Sequence, residues 1–120
     1  LPCDITMDDF TYYYFTFSDP AVRSMYTNRE VYGNWKQEFD GLALEGNKIF
    51  ILKLHPQMIG RASRIGMVGE LIAYMQSQGA WIATCEDVAR YVLAKTYPGW
   101  ENLPAFKTQP SRTQKGGVSL

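Results

Sequence analysis

Apolar residues recur at three- and four-residue intervals in two long stretches of the chain, and this spacing predicts amphipathic helices. The first covers residues 30–45, with Asn28 as its N-cap and Glu45-Gly46-Asn47 closing it. The second runs from a Ser63 cap to about Ser77, and Gly79 ends it. The predicted inward faces are Val31, Trp35, Phe39, Leu42 and Ala43 in the first helix, and Ile65, Val68, Leu71, Ile72 and Met75 in the second.

Short apolar runs between these helices predict β-strands at residues 1–7, 48–54 and 81–84. Residues 10–17 are aromatic without strict alternation, which fits either a buried strand or a loop that covers a pocket. A third helix is predicted to open at Glu86-Asp87, with Val88, Ala89, Val92 and Leu93 inside. Because strands and helices alternate, the pattern predicts an α/β fold built from βα units around a parallel sheet.

The composition narrows the classes of partner. Twelve basic residues balance twelve acidic ones, which argues against nucleic acid or an anionic membrane surface as a partner. No apolar run approaches the length of a membrane span. Cys3 and Cys85 lie far apart without metal-binding spacing, and as reduced thiols they favour a cytoplasmic location.

The domain organisation follows from a change of composition near the end of the chain. Residues 1–96 carry the predicted strands and helices, whereas residues 97–120 are rich in Pro, Gly, Lys, Ser and Thr and have no period. We therefore expect one α/β unit over 1–96 and an irregular C-terminal tail over 97–120.

His55 is the only histidine of the chain, and it ends the apolar run 51–54 just before Pro56. Imidazole titrates near neutrality, so a histidine at the end of a strand is a natural proton donor or acceptor. Asp8-Asp9 follows the first predicted strand, and such strand ends gather reactive groups in βα folds. Gly60, in the next turn, is expected to adopt a positive φ.

These segments resemble a known family. Leu52-Lys53-Leu54-His55-Pro56, followed by Gly60-Arg61 and Arg64-Ile65, resembles the last motif of the polysaccharide deacetylase family, in its cytoplasmic peptidoglycan-deacetylase-like and allantoinase-like branch. Residues 80–89 look like the closing strand and helix of that family, and Met7-Asp8-Asp9-Phe10 is similar to its Asp-Asp-aromatic segment.

The resemblance implies a fold that this chain cannot complete by itself. It corresponds to the C-terminal βα units of a distorted (β/α) barrel, and three such units cannot close a barrel. The family's earlier Asp-Asp pair and its His-x-x-x-His motif are not in this sequence, which begins at Leu1. We therefore expect a C-terminal portion whose remaining strands come from a missing N-terminal part, a second chain, or another copy in a homo-oligomer.

The resemblance also implies an activity, the hydrolysis of a non-peptide C–N amide bond. Its substrate would be an N-acetyl sugar, peptidoglycan or a small cyclic imide or ureide. His55 would be the general acid, and Asp9, or Asp8, would orient its ring. Asp8-Asp9 as a simple helix cap is the alternative, since Thr6 and Phe10 depart from the family pattern, which has an earlier Asp and a Trp at these places.

Further residues complete the predicted site. Asp8, Phe10, Tyr12 and Arg61 are expected to contact substrate, whereas Arg64 fits a structural role better.

No metal site is predicted within the chain; a divalent metal such as zinc would be held by the family's missing motifs. A second hypothesis is that the chain keeps the deacetylase scaffold but is a non-catalytic interaction module. The tryptophans Trp35 and Trp81 are predicted to be core residues.

Overall fold

The computed structural model describes residues 4–15 and 26–102, and helices account for 69% of these residues. Short 3₁₀ turns cover Ile5–Met7 and Trp100–Asn102. The α-helices of the described ranges are α1 (Asp9–Tyr13), α2 (Asn28–Glu45), α3 (Pro56–Ile59), α4 (Ala62–Ser77) and α5 (Cys85–Thr96).

The predicted α/β fold, including its reading as part of a (β/α) barrel, is wrong for the described residues. Residues 48–54 form no strand, and in the described ranges they pair with another segment at one point, a parallel bridge between Lys53 and Asp8. Residues 5–7 form a 3₁₀ turn, and residues 81–84 join no ladder. The first part of the aromatic run is the helix α1, so its prediction as a strand or a loop is wrong there. A parallel strand needs neighbours that satisfy its amides along its length. A single bridge does not provide them, so the architecture that the structure shows is helical.

The long helices lie close to where the periodicity placed them, but their caps differ. Thr27, rather than Asn28, is the N-cap of α2; its hydroxyl accepts the Glu30 N–H while the Glu30 carboxylate accepts the Thr27 N–H. This capping box satisfies amides at both positions. Gly46 ends α2 with φ of 67°, and its N–H donates to the carbonyl of Leu42. Arg61, rather than Ser63, is the N-cap of α4.

The core lies where α2 packs against α4, with the start of the described chain beside them. Trp35 and Leu71 are fully buried, and the Trp35 indole donates to the Thr6 carbonyl over 3.1 Å. The core cluster comprises Met7, Tyr12, Tyr13, Val31, Trp35, Phe39, Ile59, Met67, Val68, Leu71 and Met75.

Several predicted core positions are wrong. Ile65 is 54% exposed and Ile72 also faces outward, while Met67 lies inside. Trp81 is 59% exposed, so it is not a core tryptophan. On α2, Ala43 is exposed. α4 is apolar on more than one side, and spacing alone therefore did not identify which side would face α2.

A polar cluster ties α2 to α4 at the edge of this core. The ammonium of Lys36 donates to Asp40 over 2.6 Å and to the Tyr74 hydroxyl over 3.0 Å, and that hydroxyl donates to Asp40 over 2.7 Å. The hydrogen bond to Asp40 raises the pKa of Lys36, and the same bond lowers the pKa of Asp40. The cluster fixes the register of the two helices.

The chain divides into two compact units, Leu1–Ile82 and Ala83–Leu120. α5 belongs to the second unit, and its predicted inward residues Val88, Ala89, Val92 and Leu93 are only half-buried. The predicted boundary between residues 96 and 97 stays a prediction. Cys3, the end of the aromatic run at residues 16–17 and most of the predicted tail lie outside the described residues. No described helix is long and apolar enough to cross a membrane.

Gly60 is required for a reason other than the predicted one. Its φ is −71°, so the expected positive φ is wrong. A Cβ at this position would lie 2.5 Å from the carbonyl oxygen of Pro56, whereas one at Gly66, within α4, would meet no atom within 4 Å. The glycine is needed because the turn that follows α3 brings backbone against backbone.

We expect Gly60→Ala to lower the free energy of unfolding by about 1–3 kcal/mol, because backbone must shift to admit the methyl group. The matched control is Gly66→Ala, which should raise it by about 0.5–1 kcal/mol, since alanine favours a helix interior. Urea denaturation followed by circular dichroism measures both. Equal effects of the two substitutions would contradict the steric role of Gly60.

Candidate proton-transfer site

The backbone brings the two halves of the site together at the bridge between Asp8 and Lys53. The Lys53 N–H donates to the Met7 carbonyl over 2.8 Å, and the Asp9 N–H donates to the Lys53 carbonyl over 3.1 Å. This pairing places residue 55 directly beside Asp9, although they are far apart in the chain. The predicted neighbourhood of Asp8-Asp9 and His55 is thus present without the predicted sheet.

Asp9 and His55 form the centre of the site. Asp9 is fully buried; its Oδ1 lies 2.7 Å from His55 Nδ1 and its Oδ2 accepts the His55 backbone N–H over 2.9 Å. When Asp9 is a carboxylate it can only accept hydrogen bonds, and Nδ1 then carries the proton of this contact. One carboxylate therefore fixes both the ring and the backbone of the histidine.

The local chain around His55 restrains it further. His55 is the N-cap of α3, and its carbonyl accepts the N–H groups of Met58 and Ile59 over 2.8 and 2.9 Å. Pro56 occupies the first helical position, where a missing N–H costs nothing. The His55 side chain remains 33% exposed. Among the described residues nothing hydrogen-bonds Nε2, which can exchange a proton with solvent or a ligand.

Asp8 is a second carboxylate next to the same ring. Its Oδ1 lies 3.4 Å from His55 Nδ1 and accepts the Phe10 N–H over 2.9 Å, while its Oδ2 lies 2.8 Å from the Lys53 ammonium. Burial acts to raise the pKa of Asp8, but the hydrogen bonds from Lys53 and Phe10 and the charges of Lys53 and His55 outweigh it and lower that pKa. Asp8 is thus a helix cap and an ion-pair partner at once.

The same three side chains lie close enough together to be considered for a cation. One ligand atom from each of Asp8, Asp9 and His55 falls within 4.8 Å of the others. However, both oxygens of Asp9 are engaged by His55, and both oxygens of Asp8 are engaged by Lys53 and Phe10. A divalent ion would have to displace a lysine ammonium and a protonated ring nitrogen. These contacts fit proton transfer, and a metal ion would bind only in their place.

An aromatic surface lies beside the imidazole. The Phe10 ring centroid is 5.5 Å from that of His55 and is stacked on Tyr14 at 4.2 Å. Phe10 is 39% exposed and is available to a ligand at this position. Tyr12, also predicted to contact substrate, is buried instead, and its hydroxyl donates to the Thr6 carbonyl over 2.9 Å. Its contact with substrate would require the core to open.

The two arginines after His55, Arg61 and Arg64, differ in their contacts. The guanidinium of Arg64 donates to the Met58 carbonyl over 2.7 Å and lies 3.9 Å from the centroid of the Tyr13 ring, which gives it a structural role. Arg61 is exposed at the start of α4, and its predicted contact with substrate stays a prediction. A depression of about 120 Å³ elsewhere in the described chain does not include His55; it is lined by Asp4, Met7, Glu38, Leu42, Ile49, Phe50 and Ile51.

The sequence pattern did not reveal two supports of the site. Tyr13 is buried and its hydroxyl donates to Asn28 over 2.9 Å, while the Asn28 amide donates to the Ser63 carbonyl over 2.7 Å. Burial raises the pKa of Tyr13. Lys53, within the resemblance but without an assigned role, reaches Asp8. Its place two residues before His55, on the same side of an extended chain, was the available signal.

Comparison of the chain with protein-family models, with curated proteins and with solved structures finds no significant match.

Proposed function

We propose that this chain supplies the general acid of a hydrolase that cleaves a non-peptide C–N amide bond, with His55 as the proton donor and Asp9 as its orienting partner. The single observation that carries the proposal is the double contact of a fully buried carboxylate with the ring and the backbone of the only histidine. A buried carboxylate is expensive unless it is paired, and Asp9 is paired with His55 in a way that leaves Nε2 open for proton transfer.

The chemistry follows from the leaving group. An amine leaves a tetrahedral intermediate as a neutral molecule only if a proton reaches its nitrogen as the C–N bond breaks. Imidazolium can deliver that proton from Nε2, while the Asp9 carboxylate at Nδ1 stabilises the charged ring before transfer and retains the tautomer afterwards. A positioned acid of this kind typically contributes about 10²–10⁴-fold.

The resemblance of residues 52–64 to the polysaccharide deacetylase family supports this reaction class, and the exposed Phe10 face supports a ring-containing substrate such as an N-acetyl sugar or a cyclic amide. By the same resemblance, the attacking water and its base, and any zinc, belong to segments that this sequence does not contain. The residues that surround His55 are engaged with one another in the structure.

A second candidate function, a module that binds another chain, is favoured by exposed apolar side chains. Leu44 is 90% exposed, Ile5 74% and Ile65 54%. A contiguous exposed apolar patch is typical of an interface, whereas apolar side chains exposed singly are common on any protein surface. In this reading the partner is a second chain or another copy of this one. The two candidates are compatible if the partner contributes the base that activates water. The cytoplasm remains our proposed location, in keeping with the free, exposed thiol of Cys85.

The test is hydrolysis by the protein purified at its natural length, offered N-acetyl sugars, cyclic imides and ureides. His55→Ala should lower kcat by at least about 10²-fold with little change in KM, because proton donation matters only in the transition state. Lys48→Met, which removes a charge paired with Glu45 on the surface, serves as the control and should leave both constants unchanged.

An unchanged kcat in His55→Ala would reject the acid role. If the wild-type protein turns over none of these compounds and co-purifies with a second protein, the interaction module is the better description.

A further inference from the structure

His55 Nδ1 has one proton to donate and two carboxylates within reach. Asp9 Oδ1 lies 2.7 Å away, a short charge-assisted hydrogen bond, whereas Asp8 Oδ1 lies at 3.4 Å, beyond a good one. Asp8 is held away by its other contacts: the Lys53 ammonium on Oδ2 and the Phe10 N–H on Oδ1. The separation of the two carboxylates therefore depends on a residue outside the Asp–His pair.

We propose that Lys53 is a positioning residue of this site, which binds Asp8 so that Asp9 alone accepts the Nδ1 proton and a single uncompensated carboxylate faces the imidazole. The catalytic part of this inference rests on the proposed role of His55 as a general acid. The electrostatic part rests only on the geometry.

The physical reason concerns how firmly the ring holds its proton. An acid is most effective when it is protonated at the working pH and still able to give the proton up. Two uncompensated carboxylates at Nδ1 would stabilise the imidazolium too strongly. The Lys53 ammonium neutralises one of them, and because its side chain is half-exposed the effect is moderated by solvent.

The other elements around the ring do not supply such a counter-charge. The helix α3 carries no charged side chain, and Arg64 of α4 is directed to the Met58 carbonyl and the Tyr13 ring. Among the described residues, the charged groups in contact with the His55 ring or with its carboxylate partners are Asp8, Asp9 and Lys53, and Arg61 at the start of α4 is exposed. Lys53 is also locked in place by the bridge of its own backbone to Met7 and Asp9.

The single histidine makes the test direct, since its ring gives one set of signals in a proton NMR titration of the chain. Lys53→Met should raise the midpoint of that titration by about half a pH unit, because Asp8 is then free to turn toward Nδ1. Asp8→Asn should lower the midpoint by a similar amount. In the Asp8→Asn background the Lys53→Met substitution should shift the midpoint by less than half as much, because Lys53 acts through Asp8.

Lys48→Met is the matched control. It removes the same charge from the same extended segment, where Lys48 pairs with exposed Glu45, and it should leave the midpoint unchanged. No shift in Lys53→Met, or an equal shift with and without Asp8, would overturn the proposal. A shift of the predicted size in Lys48→Met would also overturn the proposal, because the loss of any positive charge in this segment would then explain the shift.

The catalytic consequence has a separate readout. In the active protein, Lys53→Met should move the limb of the kcat–pH profile that belongs to His55 in the same direction as the NMR midpoint, while KM stays near its wild-type value. If the NMR shifts occur and the profile does not follow, Lys53 positions the pair and His55 is not the acid. If neither changes, the positioning role itself is wrong.

Discussion

Asp9→Asn is expected to reduce kcat about 10³-fold while leaving the fold intact. The asparagine carbonyl can still accept the His55 backbone N–H, but its NH₂ group would face Nδ1, which then has to act as an acceptor. The ring is forced into the tautomer with its proton on Nε2, and the imidazolium loses its charged partner. Steady-state kinetics and the ring ¹⁵N shifts of the only histidine measure the two effects separately.

Asp40→Asn is the control for this substitution. It makes the same chemical change in a carboxylate that joins α2 to α4 through Lys36 and Tyr74, away from His55. Its kcat should stay within about twofold of wild type, since neither the ring nor its partner is altered. A wild-type kcat in Asp9→Asn together with a switched tautomer would show that proton transfer at Nε2 does not limit the reaction.

The largest expected loss of stability comes from Trp35→Ala, about 3–5 kcal/mol in the free energy of unfolding. Trp35 is fully buried between helices, makes an edge contact with Tyr12 at 5.9 Å between ring centroids, and donates its indole N–H to Thr6. Truncation leaves a large cavity and an unpaired carbonyl lone pair in the centre of the first unit. Domains of this size have about 5–15 kcal/mol in total, so the variant should lose a large part of its stability and unfold at a markedly lower temperature.

The matched control lies on the same helix. Leu44→Ala removes a side chain that is 90% exposed and should change the unfolding free energy by less than about 0.5 kcal/mol. Urea denaturation followed by circular dichroism compares the two without relying on the tryptophan signal. A loss under about 1 kcal/mol in Trp35→Ala would mean that the core at this position is loosely packed.

Local signals predicted most of the helical structure. The spacing of Val31, Trp35 and Phe39 identified the buried face of α2, and Gly46 marked its end correctly. Both follow from the geometry of one turn of helix, which neighbouring residues determine. The same reasoning was wrong for Ile65 and Ile72, because α4 is apolar on more than one side and only contact with α2 selects one.

The strand predictions were wrong for a related reason. Residues 48–54 have the composition of an inner strand, yet a strand exists only through hydrogen bonds to other segments. In the described ranges the one such partner is the short stretch around Asp8. The composition of a segment indicates that it could pair with a strand, but it does not show that another strand lies beside it.

The sequence by itself determined where the three long helices α2, α4 and α5 run, which histidine could carry chemistry, and that Asp8-Asp9 were candidates to meet it. Only the tertiary structure decided how the two carboxylates divide their roles. Asp9 became the buried partner of His55 and Asp8 the partner of Lys53 because one backbone bridge sets the register between residues 8 and 53. That register pairs residues that lie far apart in the chain, so no local pattern encodes it.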